Sequence, residues 1–211
     1  RVSISLPSLR LDSILKDALE ETQKERKTSL TFAPEAGTQR LRDVINKGIT
    51  EDDILGATRQ AIQLGWSTVK LYFMMGLPTE TLDDIKGIAD LAQKVVDTFY
   101  RNPNKPKGKG VQVSVSCASF VPKPFTPFQW EPQDTMESLT EKQKHLLSST
   151  TSRKITISYH QSETSVLEGV FARGDRRLSE VIYKAWQKGC KFDAWDEFFD
   201  FSKWTEAFNE C

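Results

Sequence analysis

The chain has 211 residues, 29 basic and 29 acidic side chains, a formal net charge of zero and 38% hydrophobic residues. That is enough apolar material for a globular core. There is no global basic field pointing to nucleic acid, no acidic tail, and no run of 18 or more uncharged apolar residues that would cross a membrane.

Residues 2–6 (VSISL) form the first apolar run and read as a strand. A chain beginning within a strand, at Arg1 and without an initiating Met, reads as part of something longer. Asp12 is placed to cap a helix running to about Arg26, with Ile14, Leu15, Ala18 and Leu19 on one face. Residues 29–33 form the second strand and run into Pro34-Glu35-Ala36-Gly37-Thr38. A short helix with Leu41, Val44 and Ile45 follows, and Gly48 is its expected stop. Thr50 and Asp53 make a capping box for a helix carrying Ile54, Ala57, Ala61 and Leu64, stopped by Gly65. Residues 68–75 are a strongly apolar strand, as expected of one covered on both faces.

Gly76-Leu77-Pro78-Thr79-Glu80 breaks that strand, and Thr81 with Asp84 caps the clearest helix of the chain. Its stripe is Ile85, Ile88, Ala89, Ala92, Val95, Val96 and Phe99. A polar linker with Arg101, Lys105, Lys107 and Lys109 leads to a strand at 111–117. The four prolines and three aromatics of 121–132 make an irregular, packed loop. A polar helix at 137–152, an alternating strand at 155–159, a helix at 178–188 and one or two more over 192–208 complete the chain. Strands separated by such helices imply βαβ units and a parallel sheet, an α/β fold in the form of an open or partial barrel.

Ligands of parallel α/β folds sit at the carboxyl ends of the strands, which selects three loops: 34–38, 76–80 and 119–124. In the first, Glu35 can accept ribose hydroxyls or a ligand ammonium, while Gly37 and Thr38 stand at a helix start whose free N–H groups suit a carboxylate. The same residues are what a plain helix start with a capping Thr38 would use. In the second, Gly76 lets the backbone approach a flat ligand and Pro78 shapes the turn. Glu80 falls in a first helical turn, where negative charge is favoured for structural reasons.

Cys117, Cys190 and Cys211 are far apart and form no CxxC or CxxxCxxC spacing, so they read as packed or incidental thiols of a reducing cytoplasm. His145 and His160 lack ligand spacing, and Arg173, Asp175, Arg176 and Arg177 read as an ion-pair knot.

The stretch Pro34 to Leu41 (PEAGTQRL), followed by Asn46-Lys47-Gly48-Ile49-Thr50, resembles the E-x-G-[ST] strand-to-helix loop of radical S-adenosylmethionine enzymes and the N-[RK]-G-[YI]-T turn of their methylthiotransferase-like branch. Tyr72 to Thr81 (YFMMGLPTET) is similar to the family's hydrophobic strand followed by G-[LF]-P-x-E-T, and Phe120 to Phe128 (FVPKPFTPF) to its F-x-P-x-P-x-T-P loop. The tail with Phe171 to Leu178 most resembles uncharacterised members that carry an upstream cobalamin (B12)-binding domain.

This resemblance implies the later strands of a partial (βα) TIM-like barrel over residues 1–130 and a family-specific, α-rich C-terminal extension over 131–211. It implies S-adenosylmethionine and a 4Fe–4S cluster as cofactors, with cobalamin in the parent protein. Glu35, Gly37 and Thr38 would contact the ribose or methionyl part, Lys47 the methionyl carboxylate, and Gly76, Leu77 and Pro78 the adenine side. No catalytic residue and no metal ligand is assigned, since the cluster's CxxxCxxC would lie upstream and is absent here. The expectation is a catalytically inactive piece of a radical enzyme for methyl transfer or sulfur insertion on an unknown substrate, with tRNA a candidate by analogy. Its partners would be the missing N-terminal domains and a second copy at the unpaired edge of residues 2–6. The alternatives are a cluster-free adenosyl- or nucleotide-binding module and an ordinary α/β barrel enzyme with a phosphate loop.

Overall fold

In a computed structural model, residues 30–106, 108 and 110–211 are described. The expected strand at 2–6 with its dimerising edge, the helix at 12–26, and Lys107 and Lys109 lie outside them. Contacts divide the described residues into two compact units, one up to residue 120 together with 137–160, the other of 121–136 and 161–211.

The first unit is α/β. Strands β1 (Leu30–Glu35), β2 (Thr68–Met75), β3 (Gln112–Ser119) and β4 (Ile155–Tyr159) pair in that order, all parallel. They are joined through helices α1 (Gln39–Val44), α2 (Glu51–Gln63), α3 (Leu82–Arg101) and α4 (Met136–Ser149). This is the sheet expected of a partial (βα) barrel. The sequence reading placed a boundary near 130, whereas α4 and β4 belong to this unit.

Alternation decides the faces of the sheet. Phe32, Val69, Leu71, Phe73, Met75, Val113 and Val115 are buried in one core with Ile54, Ile85, Ile88, Val95 and Phe99. The stripe expected on 82–101 supplies much of that core, at roughly 1.5–3 kcal/mol for each large side chain buried. On the alternate positions of β2, Lys70 and Tyr72 are exposed. The sequence reading expected β2 to be covered on both faces. The structure corrects this, because the long apolar run includes Lys70 and Tyr72 at period two.

Both capping boxes form. The Asp53 carboxylate accepts from the Thr50 backbone at 2.8 Å while Thr50 accepts from the Asp53 backbone at 3.1 Å, and Gly65 takes φ 88 where α2 stops. After α1 it is Asn46, not Gly48, that adopts the left-handed conformation, with φ 54. Asn tolerates that region through local hydrogen bonding. β1 runs two residues further than expected, through Pro34 to Glu35, with a register shift between Phe32 and Glu35. A bulge is one of the few places a strand accepts proline.

The second unit is helical: α5 (Ser162–Arg173), α6 (Leu178–Gln187) and α7 (Phe201–Asn209). Leu167, Val181, Ala185, Cys190, Trp204 and Ala207 form its small core. The sequence reading missed α5. Gly169 and the β-branched Val166 and Val170 depress helix propensity there, and Gln161 at its N-cap makes no side-chain cap bond.

Candidate functional site

β1 and β2 are hydrogen-bonded neighbours, so the loops after them meet at one end of the sheet. Glu35 is the last residue of β1 and has φ 66. A left-handed conformation at a non-glycine residue is costly and concentrates at functional positions. Its carboxylate lies 3.1 Å from Lys47 Nζ, and the two side chains are 26% and 30% exposed. The structure thus brings together Glu35 and Lys47, but as partners of each other.

Gly37 packs against α3. A Cβ there would fall 2.7 Å from the Gly87 carbonyl carbon and closer still to the Asp84 carbonyl oxygen and the Ile88 nitrogen. In turn a Cβ on Gly87 would meet Thr38 Cγ2 at 2.7 Å. Glycine is needed at both positions for this close approach. Thr38 is the N-cap of α1, accepting from the Leu41 N–H at 3.3 Å, and its hydroxyl donates to Asp84.

Asp84 is 2% exposed. Its carboxylate accepts from the Thr81 N–H at 2.9 Å and the Thr81 hydroxyl at 2.8 Å, as a helix cap should. It also accepts from the Thr38 hydroxyl and the Arg40 guanidinium of the other loop. Burial pushes this carboxyl up, but the hydrogen bonds from Thr38, Arg40 and Thr81 outweigh burial and hold it below the ordinary carboxylate range. Arg40 further donates to the Thr79 carbonyl at 2.9 Å and the Thr79 hydroxyl at 3.2 Å. Thr79 has φ 65 after Pro78, and the Glu80 N–H bonds the Leu77 carbonyl at 3.0 Å, closing a turn.

Gly76 takes φ 88, open to glycine and strained for other residues. Its N–H donates to Glu80 Oε1 at 2.7 Å. The Glu80 side chain is 1% exposed and pairs with Lys142 of α4 at 2.8 Å. Glu80 is therefore structural, as expected, but it precedes the N-cap Thr81 and does not stand in the first helical turn. Leu77 is buried and Pro78 is half-buried. Beneath the loops, Arg42 is fully buried and donates to the Ala36 carbonyl at 2.9 Å and Gln39 Oε1 at 3.1 Å. Burial lowers its pKa, against the opposing charges of Glu51 and Asp43.

Sequence reasoning read Asp84 only as a cap and missed Arg40, Arg42 and Lys142. Asp84 left a signal in the Thr81-x-x-Asp84 box; the other three left none.

Among the described residues no group of three or more His, Cys, Asp or Glu could hold a metal. Cys117 is buried in β3, where burial and then the charge of Glu80 push its thiol up to about 12. Cys190 and Cys211 belong to the helical unit. These cysteines do not fit an iron–sulfur cluster. His145 is on α4, and the backbone N–H of His160 bonds the Cys117 carbonyl. In the charged knot, Asp175 pairs with Arg177 at 2.9 Å. A groove of about 470 Å³, lined by Leu55, Arg59, Lys94 and Arg101 among others, involves none of the strand-end residues. No helix among the described residues is long and apolar enough to cross a membrane.

Over 181 residues the chain is 38% identical to an uncharacterized protein of Methanocaldococcus jannaschii, covering 86% of this chain and 37% of that relative. The chain thus spans little more than a third of the length of the curated relative it matches. Residues 1–92, which contain both strand-end loops and Asp84, match the family model of the Radical SAM superfamily.

Proposed function

We propose that this chain is the later part of the barrel of a Radical SAM enzyme and that its strand-end loops bind S-adenosylmethionine. One observation carries the reading: the E-x-G-T and G-L-P-T-E-T loops, within the matched residues 1–92, lie on paired parallel strands and are bonded to each other through Asp84. Their groups suit an adenosyl ligand. Glu35 offers a partly exposed carboxylate for ribose hydroxyls, and Gly76, buried with its N–H on Glu80, turns the second loop so that half-buried Pro78 stands on the side of a flat base. The Thr38 hydroxyl already donates to Asp84, so its part is to hold the loop while Gly37 seats that loop on α3. Lys47 holds the Glu35 carboxylate in place and is a cation that a ligand carboxylate could meet. Leu77 anchors the second loop in the core and leaves Pro78 to the base.

When bound beside a 4Fe–4S cluster, S-adenosylmethionine supplies a 5′-deoxyadenosyl radical on one-electron reduction, and the protein positions and shields it. The cluster ligands would come from sequence outside this chain. For the whole protein we propose a cytoplasmic enzyme of methyl transfer or sulfur insertion, with cobalamin on another segment and RNA as the substrate to try first.

The test is 5′-deoxyadenosine formation by the full-length protein, reconstituted anaerobically with iron and sulfide and given reductant and S-adenosylmethionine. Product is expected, with at least tenfold less from Glu35→Ala. A protein that holds its cluster yet makes no product, with or without a cell extract as substrate source, would overturn the radical reading. A cluster-free adenosyl-binding module would then take its place.

A further inference from the structure

A helix cap needs its carboxylate to reach only its own helix. The Asp84 carboxylate is buried, receives both Thr81 donors of its cap, and then takes two more donors from the preceding strand-end loop. Arg40, one of those donors, also reaches across to the carbonyl and hydroxyl of Thr79, the residue of positive φ in the second loop. Below this network, Gly37 and Gly87 bring the first loop into van der Waals contact with the backbone of α3. Neither loop can shift alone without breaking a charge-assisted hydrogen bond to a buried carboxylate, the kind of bond most expensive to lose.

We propose that Asp84 is a positioning residue that makes loops 34–40 and 76–81 a single rigid cradle, so that the sulfonium nucleoside meets both loops already in register. Asp84 acts through Thr38 and Arg40, not by touching the ligand. This rests on the function proposed above, and it goes beyond that function in assigning the cradle's geometry to one carboxylate. Its physical basis is preorganisation: a cradle ordered before binding loses less entropy when the ligand arrives.

Two measurements on the full-length protein decide it. The first compares 5′-deoxyadenosine formation against S-adenosylmethionine concentration for wild type, Asp84→Asn, Thr38→Val, Arg40→Gln and Asp53→Asn, each checked for fold by circular dichroism and for iron content. The expected result is a KM at least tenfold higher for the first three, with kcat at saturation within threefold of wild type. Asp53→Asn, the same change in a capping carboxylate that reaches only its own helix, should leave KM within twofold. The double variant Thr38→Val, Asp84→Asn should be no worse than Asp84→Asn alone. An unchanged KM in folded Asp84→Asn, or an equal rise in Asp53→Asn, would reduce Asp84 to a helix cap.

The second measurement needs no activity. Amide hydrogen exchange of ligand-free Thr38→Val should rise in both loops together. A rise confined to the substituted loop would overturn the coupling. If wild type holds its cluster and makes no product, the function reading falls, and the exchange result still decides whether the two loops are one body.

Discussion

The two units handle apolar surface differently. In the α/β unit, Phe32, Phe73 and Phe99 are no more than 1% exposed, and one core joins the sheet to its helices. In the helical unit, Phe192, Trp195 and Phe198 are 61%, 61% and 56% exposed, beside a core of only six buried residues. A parallel sheet with helices on one face buries long rows of side chains at once, whereas three short helices enclose little. Left-handed non-glycine residues occur in both units, at Glu35 and Thr79 in the first and at Phe125 in the second. The second unit is held at its end by charge pairs, with Lys188 between Glu206 at 3.0 Å and Glu210 at 2.7 Å.

The contrast breaks most sharply under alanine substitution. Phe73→Ala should destabilise the protein by about 3–5 kcal/mol through transfer and cavity terms, whereas Phe198→Ala should stay within about 0.5 kcal/mol. Denaturant unfolding of the two variants checks this. Equal losses would show that the exposed aromatics of the helical unit are packed in solution.

A smaller effect comes from acid. The folded Asp84 carboxyl lies below its ordinary value near 3.9. Its contribution is therefore fully present above that value and is lost as pH falls through the folded pKa. The stability of Asp84→Asn should be lower than wild type at neutral pH, and its acid limb below roughly pH 4 shallower. Parallel acid limbs would show that the carboxylate gains nothing from its donors.

Smaller still is Lys188→Met. Its partners Glu206 and Glu210 are exposed, so it should cost under about 1 kcal/mol, and less in high salt. A larger, salt-insensitive loss would mean that the α6–α7 contact depends on this lysine. At the lower end is thiol chemistry. At pH 8 iodoacetamide should label exposed Cys211 and spare Cys117, whose thiol is pushed up to about 12. Rapid labelling of Cys117 in the folded protein would show that β3 opens.

Much of the α/β unit was legible because it is written in local patterns. The apolar run of residues 68–75, the Thr50–Asp53 box and the stripe on α3 each use contacts within one or two helical turns or along one strand, though the alternation inside that run was passed over. α5 was not legible, because its apolar positions are weakly segregated and its start lacks a capping side chain.

By itself, the sequence determined the alternation of strands and helices from β1 to β4, the two capping boxes, and three strand-end loops, the two tied by Asp84 among them. Only the tertiary structure decided that Asp84 ties those loops together, that Glu80 is buried on Lys142, and that Gly37 serves the packing of a loop on α3. Propensity and periodicity record what a residue does with its near neighbours. They hold no record of a hydrogen bond between Thr38 and Asp84, which exists only once β1 and β2 have paired.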